Sequence, residues 1–169
     1  MANKLTIPAF GCYACPDYQL IGSFPGETRY CNGFKNRKAK RFRRSDPKFK
    51  PPKWCPRKIS PSICRIYSFV DEDSEYLEMF HRVDYEEGRS KEISPSPAHY
   101  KPRTELRLGL SARQFYDALQ EEPLHDIIPE AVENGEIIEI DDGMQPYCFY
   151  VLDYNTVLPL PFFHMRAFR

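Results

Sequence analysis

Gly11-Cys12-Tyr13-Ala14-Cys15-Pro16, Thr28-Arg29-Tyr30-Cys31-Asn32-Gly33-Phe34 and Pro51-Pro52-Lys53-Trp54-Cys55-Pro56 all lie in the stretch from Gly11 to Arg65, where the organisation of this chain is decided. The stretch holds five of the six cysteines: Cys12, Cys15, Cys31, Cys55 and Cys64. Two cysteines separated by two residues can present both sulfurs to one ion from a tight turn. Gly11 and Pro16 flank that pair with turn chemistry, and Asn32-Gly33 is a further turn signal behind Cys31. The ligand set expected for Zn2+ is Cys12, Cys15, Cys31 and Cys55. Cys64 could replace Cys55, and His81 or another histidine could complete the set. Buried or free thiols, disulfides and an iron–sulfur site remain alternatives. Cys148, in the apolar run Tyr147 to Leu152, reads as core.

The same stretch is strongly basic. From Arg29 to Arg65 there are fourteen Lys and Arg against the single acid Asp46, a local net of +13. Residues 66–169 carry nine Lys and Arg against twenty-one Asp and Glu, a net of −12, so the zero net charge of the chain is an average of two unlike parts. Lys and Arg neutralise phosphates and release counterions, which confers affinity without sequence choice. Lys35, Arg37, Lys38, Lys40, Arg41, Arg43, Arg44, Lys48, Lys50 and Lys53 are therefore the residues expected to contact nucleic acid or another partner. Phe34 and Phe42, inside the basic run, could stack on bases or pack in a small core. The expected organisation is a basic, Cys-rich, zinc-binding part over 1–65 and an acidic α+β part over 66–169, packed together, with a loop at 86–104.

The 169 residues suffice for a real core, and a hydrophobic fraction of 41% fits a globular fold. Sixteen prolines predict loops and short elements. No apolar run is long enough for a membrane span, and Met1 to Pro8 lacks the apolar core of a signal peptide. Reducing cytoplasm is the expected compartment, where cysteines more often bind metal than form disulfides.

Period and punctuation predict the elements. Lys4 to Ile7 reads as a short edge strand and Ser62 to Val70 as a strand rich in β-branched and aromatic residues. Asp71-Glu72-Asp73 supplies caps for a helix from about Ser74 to Tyr85, with Tyr76, Leu77, Phe80 and Val83 on one face. Glu86 to Arg103 reads as a mobile loop. Leu106, Leu108 and Leu110 alternate in a strand over Glu105 to Leu110. Ser111 with Gln114 makes a capping-box pattern that opens the next helix, with Ala112, Phe115, Tyr116 and Leu119 as its buried stripe. A short helix is expected from Pro129 to Asn134, ended by Gly135. Strands at Glu136 to Asp141 and Pro146 to Asp153 flank the hairpin signal Asp142-Gly143, and the apolar tail from Thr156 packs on the core. The fold class is α+β, a small mixed or antiparallel sheet with two or three helices and a loop-rich, zinc-pinned N-terminal part.

A nucleophile elbow, a Walker loop, a Gly-rich dinucleotide turn and an HExxH helix are all missing from the sequence. His81, His99, His125 and His164 are isolated, and Asp141-Asp142 suits a turn. No catalytic residue is assigned, and the chain is expected not to be an enzyme. A metal-dependent nuclease has no supporting constellation.

Arg29-Tyr30-Cys31, Pro52-Lys53-Trp54-Cys55-Pro56-Arg57, Ile59-Ser60-Pro61 and Cys64-Arg65-Ile66-Tyr67 together resemble a family of small Cys-rich proteins of phages and conjugative elements of Gram-positive bacteria. The resemblance covers about residues 10 to 80 and brings no catalytic residue with it. Such elements also carry anti-CRISPR-type inhibitors. The resemblance implies a mobile-element protein, and the +13 segment adds the expectation that it binds DNA, RNA or a host nucleoprotein. The alternative is an anti-defence inhibitor that blocks a host nuclease complex, such as a CRISPR effector, by protein contact or nucleic-acid mimicry.

Overall fold

The protein is described here from a computed structural model covering residues 12–47, 50–144, 146–153 and 156–165. The strand expected at Lys4 to Ile7 and the basic residue Lys48 lie outside these residues. The chain divides into two compact units, Met1–Lys58 and Ile59–Arg169. The division falls before Arg65 rather than after it, because Ser62–Phe69 is one continuous strand of the second unit.

The first unit is a three-stranded antiparallel sheet. Strands β1 (Tyr18–Ile21), β2 (Thr28–Cys31) and β3 (Lys40–Arg41) lie in that order, with Tyr18 opposite Cys31 and Tyr30 opposite Arg41. So small a sheet buries little aliphatic surface, and aromatic rings supply its core. Phe42 is buried, edge-on to Trp54 at 5.0 Å and to Tyr18 at 5.9 Å, and Phe34 stacks on Trp54 at 6.2 Å. Phe42 is thereby taken from base stacking and given to packing.

The second unit is a five-stranded antiparallel sheet in the order β5 (Tyr100–Leu108), β4 (Ser62–Phe69), β6 (Ile137–Asp141), β7 (Tyr147–Val151), β8 (Val157–Leu160). All its pairings are antiparallel. The β-branched and aromatic runs expected as strands are strands. β6 and β7 are buried along their whole length, as fits central strands covered on both faces. One face carries Tyr67, Ile137, Cys148, Tyr150 and Leu160 in a cluster with Ile93, Tyr100, Phe163 and Met165. Cys148 is core as expected, and the apolar tail supplies Phe163 and Met165 to the same cluster. Pro102 is accommodated because β5 is an edge strand. A bulge opposite Ile66/Tyr67 leaves Arg103 unpaired in the ladder. Its guanidinium is free to meet Glu136 at 2.7 Å and the carbonyl of Ala131 at 2.7 Å.

Three α-helices complete this unit: α1 (Glu72–Glu86), α2 (Ala112–Ala118) and α3 (Leu124–Ile127). Asp71 caps α1 by accepting from the Ser74 N–H at 2.8 Å, and Ser111 with Gln114 forms the expected capping box of α2. α2 packs Phe115 and Tyr116 on Phe149.

Three expectations need correction. The helix expected over Pro129–Asn134 is not formed. Its backbone is drawn to side chains instead: Arg103 takes the Ala131 carbonyl, and the Glu133 N–H donates to Glu136 at 2.8 Å. The short helix lies earlier, at Leu124–Ile127. The loop expected over Glu86–Arg103 contains a 3-10 turn at Pro97–His99, and β5 begins at Tyr100. The buried Glu78 of α1 pins this connection, accepting from the Ser96 N–H at 2.9 Å and meeting His99 Nδ1 at 2.5 Å. Finally, α1 buries Ser74 and Glu78 and turns Tyr76, Leu77 and Phe80 outward.

Candidate metal centre and cationic surface

Three segments of the first unit bring its cysteines together. The first is a 3-10 turn at Cys12–Ala14, where the Cys15 N–H donates to the Cys12 carbonyl at 2.9 Å. Tyr18 N–H then donates to the Cys15 carbonyl at 3.1 Å and leads into β1. The second is the end of β2, where Cys31 is buried and the backbone N–H of Gly33 donates to its sulfur. The third is a turn in which Cys55 N–H donates to the Pro52 carbonyl at 3.1 Å and Lys58 N–H to the Cys55 carbonyl at 3.3 Å.

Asp17 ties the three segments. Its carboxylate accepts from Arg57 Nε at 2.6 Å, and its carbonyl accepts from the Asn32 N–H at 2.8 Å. A Cβ on Gly33 would stand 3.0 Å from both Asp17 Oδ2 and Pro56 Cγ, so a larger residue there would have to push these side chains aside by a few tenths of an ångström. Gly33 is not among the residues with positive φ. The Asn-Gly signal marks a donor to sulfur rather than a hairpin turn.

Cys12 and Cys31 both respond to the neighbouring thiols. Burial raises the Cys12 thiol, and the nearby Cys55, Cys15 and Cys31 raise it further, while Arg29 opposes them. Burial also raises Cys31, the Gly33 N–H counters it, and Cys55, Cys15 and Asp17 add to the rise. Arg57 is raised by its bond to Asp17 and by the proximity of Cys15 and Cys55. Among the described residues no three His, Cys, Asp or Glu side chains stand at metal-binding geometry. The Coulombic couplings extend over longer distances than a coordination bond, so the two observations agree on thiols that are neighbours without being closed around a point. None of the six cysteines is in a disulfide. Cys12, Cys15, Cys31 and Cys55 are the four thiols of the first unit, soft sulfur donors of the type that structural zinc sites use. Cys64 does not suit the substitute role: it is 0% exposed within the second unit, where burial and Glu139 push its thiol up to about 12.

The basic run lies on the outside of the same unit. Lys35, Arg37, Lys38, Lys40, Arg41, Arg43, Arg44, Lys50 and Lys53 are all exposed. Lys40 Nζ sits 4.3 Å from the centroid of Trp54, and Arg29 lies over Phe42 at 5.0 Å. Asp46 accepts from the Arg43 backbone N–H at 2.7 Å and from Trp54 Nε1 at 3.1 Å. The Arg43 N–H, and then Trp54, hold its carboxylate below the usual value. The single acid of the run is thus anchored to structure. Over Met1–Lys58, fourteen Lys and Arg stand against three Asp and Glu, a net of +11. Arg29, Arg57, Asp17 and Gly33 are the site residues that spacing alone did not single out.

In the second unit, the buried acids are occupied in pairing. Arg65 meets Glu139 at 2.8 Å, Asp141 at 3.1 Å and Glu105 at 3.0 Å, and the Tyr67 hydroxyl donates to Glu139 at 3.2 Å. Asp141 and Asp142 also accept from the backbone N–H groups of Gly143 and Met144, the turn role expected of them. His81, His125 and His164 are exposed, and His99 serves Glu78. No feature of the described residues points positively to an enzymatic activity, and no helix among them is long and apolar enough to cross a membrane. Comparison with protein-family models, with curated proteins and with solved structures finds no match to this chain.

Proposed function

We propose that this chain is a non-enzymatic, zinc-stabilised protein of a mobile element that binds nucleic acid or a nucleoprotein complex through its first unit. The observation that carries the reading is the joining of four neighbouring thiols and, among the described residues, eleven exposed Lys and Arg on one small unit of net +11. A unit this small needs a staple, and a structural metal is the usual one in a reducing compartment. Zinc would be held by Cys12, Cys15, Cys31 and Cys55, and it would supply folding free energy rather than chemistry. Four thiolates on Zn2+ leave an excess of negative charge, which Arg29 and Arg57 are placed to offset. The staple would hold the basic run rigid, so that its cations meet a phosphate backbone without first being ordered.

The test is metal content together with binding. Purified chain should contain about one zinc per molecule by mass spectrometry, and should bind labelled DNA or RNA more weakly as salt rises. Zinc-loaded chain that binds neither DNA nor RNA at low salt overturns the binding reading. Chain that carries no zinc and keeps its fold in chelator overturns the staple.

A further inference from the structure

α1 turns its apolar face outward. Its buried side carries Ser74 and Glu78, held there by the bonds of Glu78 to Ser96 and His99. Its outward side carries Tyr76 at 59% exposure, Leu77 at 50%, Met79 at 46% and Phe80 at 51%. Helical spacing makes these four contiguous, and Tyr76 and Phe80 meet edge-on at 5.1 Å. Half-exposed side chains of this size leave on the order of 350 Å² of apolar surface, as large as the functional patches of monomers. Exposed apolar surface of this kind costs solubility, and a helix with no role for it would carry polar residues there.

The N-terminal end of this face is acidic, with Asp71, Glu72, Asp73 and Glu75, whereas at the C-terminal end Glu86 pairs with Arg82 and Glu87 with Arg89. Beside it lies a cavity of about 450 Å³ lined in part by Glu72, Glu75, Tyr76, Met79 and Arg82. Arg82 Nε approaches Glu86 at 3.5 Å without a hydrogen bond, so the lining sets the two carboxylates of Glu72 and Glu75 against one guanidinium and stays net acidic. A cavity with two carboxylates and a tyrosine ring suits a Lys or Arg side chain. Anionic lipid and nucleic acid are both repelled by this acidic end. A second copy docked with its helix parallel would set the N-terminal acids against one another.

We propose that the outward face of α1 is a docking surface for a protein segment that combines Lys or Arg with bulky apolar side chains. One basic side chain enters the cavity beside Glu72 and Glu75, and the apolar ones cover Tyr76, Leu77, Met79 and Phe80. This inference does not depend on zinc or on nucleic-acid binding by the first unit.

The test selects a displayed random-peptide library on the full chain. Two variants serve as counter-targets: Tyr76→Ser with Phe80→Ser, and Glu72→Lys with Glu75→Lys. All four positions are exposed, and helix content by circular dichroism checks that both variants stay folded. Enriched peptides should contain Lys or Arg beside Leu, Phe or Trp, and should bind each variant about tenfold more weakly than the parent. No enrichment, enriched peptides without a basic residue, or equal binding to parent and both variants overturns the proposal. So does a concentration-dependent dimer by light scattering that the Tyr76→Ser, Phe80→Ser variant abolishes, because the occupant would then be a second copy.

Discussion

Replacing Arg41, Arg43 and Arg44 together by alanine tests the cationic surface without disturbing its scaffold. The Arg41 backbone pairs with Tyr30 across β2 and β3, and Arg43 is engaged through its backbone: its N–H donates to Asp46, and its carbonyl accepts from Arg29 at 3.4 Å. All three side chains are exposed. The substitution therefore removes three of the nine exposed cations expected to contact a partner and keeps the main-chain bonds. Each phosphate neutralised contributes about −0.9 to the slope of log K against log salt on duplex DNA, and about −0.7 on a single strand. If all three contact phosphate, the slope should become shallower by about 2.7 on duplex or about 2.1 on a single strand. The assay is fluorescence anisotropy of labelled duplex and single strands over a salt series, with thermal melting of parent and variant alongside. An unchanged slope in a variant that melts like the parent would refute the assignment of these residues to a polyanion contact.

Further outcomes follow from the same geometry. A strong zinc chelator should change Trp54 fluorescence and expose the first unit to protease while leaving the second intact, since the thiols all belong to the first; a chelator-insensitive signal would argue against the staple. Arg65→Met leaves the buried Glu139 and Asp141 without their cation and should cost about 3–5 kcal/mol in urea unfolding, whereas a loss near zero would mean those acids are not relying on it. Gly135→Ala should destabilise by at least about 1–2 kcal/mol, because φ is +87° there and the new Cβ would stand 2.8 Å from Phe69 Cζ. The Asp71 carboxyl is lowered by its bonds to Ser74, so its cap stabilises α1 above the usual Asp value and loses effect as pH falls through the lowered one; Asp71→Ala should flatten that acid limb of the helix signal, and an identical limb would contradict the cap.

Local chemistry was easy to read wherever neighbouring residues settle the structure. The capping box at Ser111 and Gln114, the hairpin at Asp142-Gly143 and the runs over Ser62–Phe69 and Tyr147–Val151 need only a few adjacent residues to specify them. The helix expected at Pro129–Asn134 failed because Arg103, from a distant strand, and Glu136, just beyond the segment, compete for its backbone. The loop expected before Arg103 is irregular up to Ser96 and ends earlier than expected, where Glu78, on another element, fixes Ser96 and His99. At the candidate site, the cysteines and the basic run are visible as residue types. Asp17 and Arg57 are not, since a carboxylate and a guanidinium forty residues apart have no common motif.

Residue order alone determined that this chain has a Cys-rich basic part and an acidic α+β part, because charge, cysteine spacing and hydrophobic period are properties of neighbouring residues. It also determined that Tyr76, Leu77 and Phe80 share a helix face. Only the tertiary structure decided that this face looks outward, that Phe42 packs rather than stacks on a base, and that Cys64 belongs to a core instead of the thiol group. A periodic pattern defines a face but not its neighbour. For α1 the neighbour was chosen by one buried carboxylate and the backbone and imidazole groups that satisfy it, eighteen and more residues along the chain.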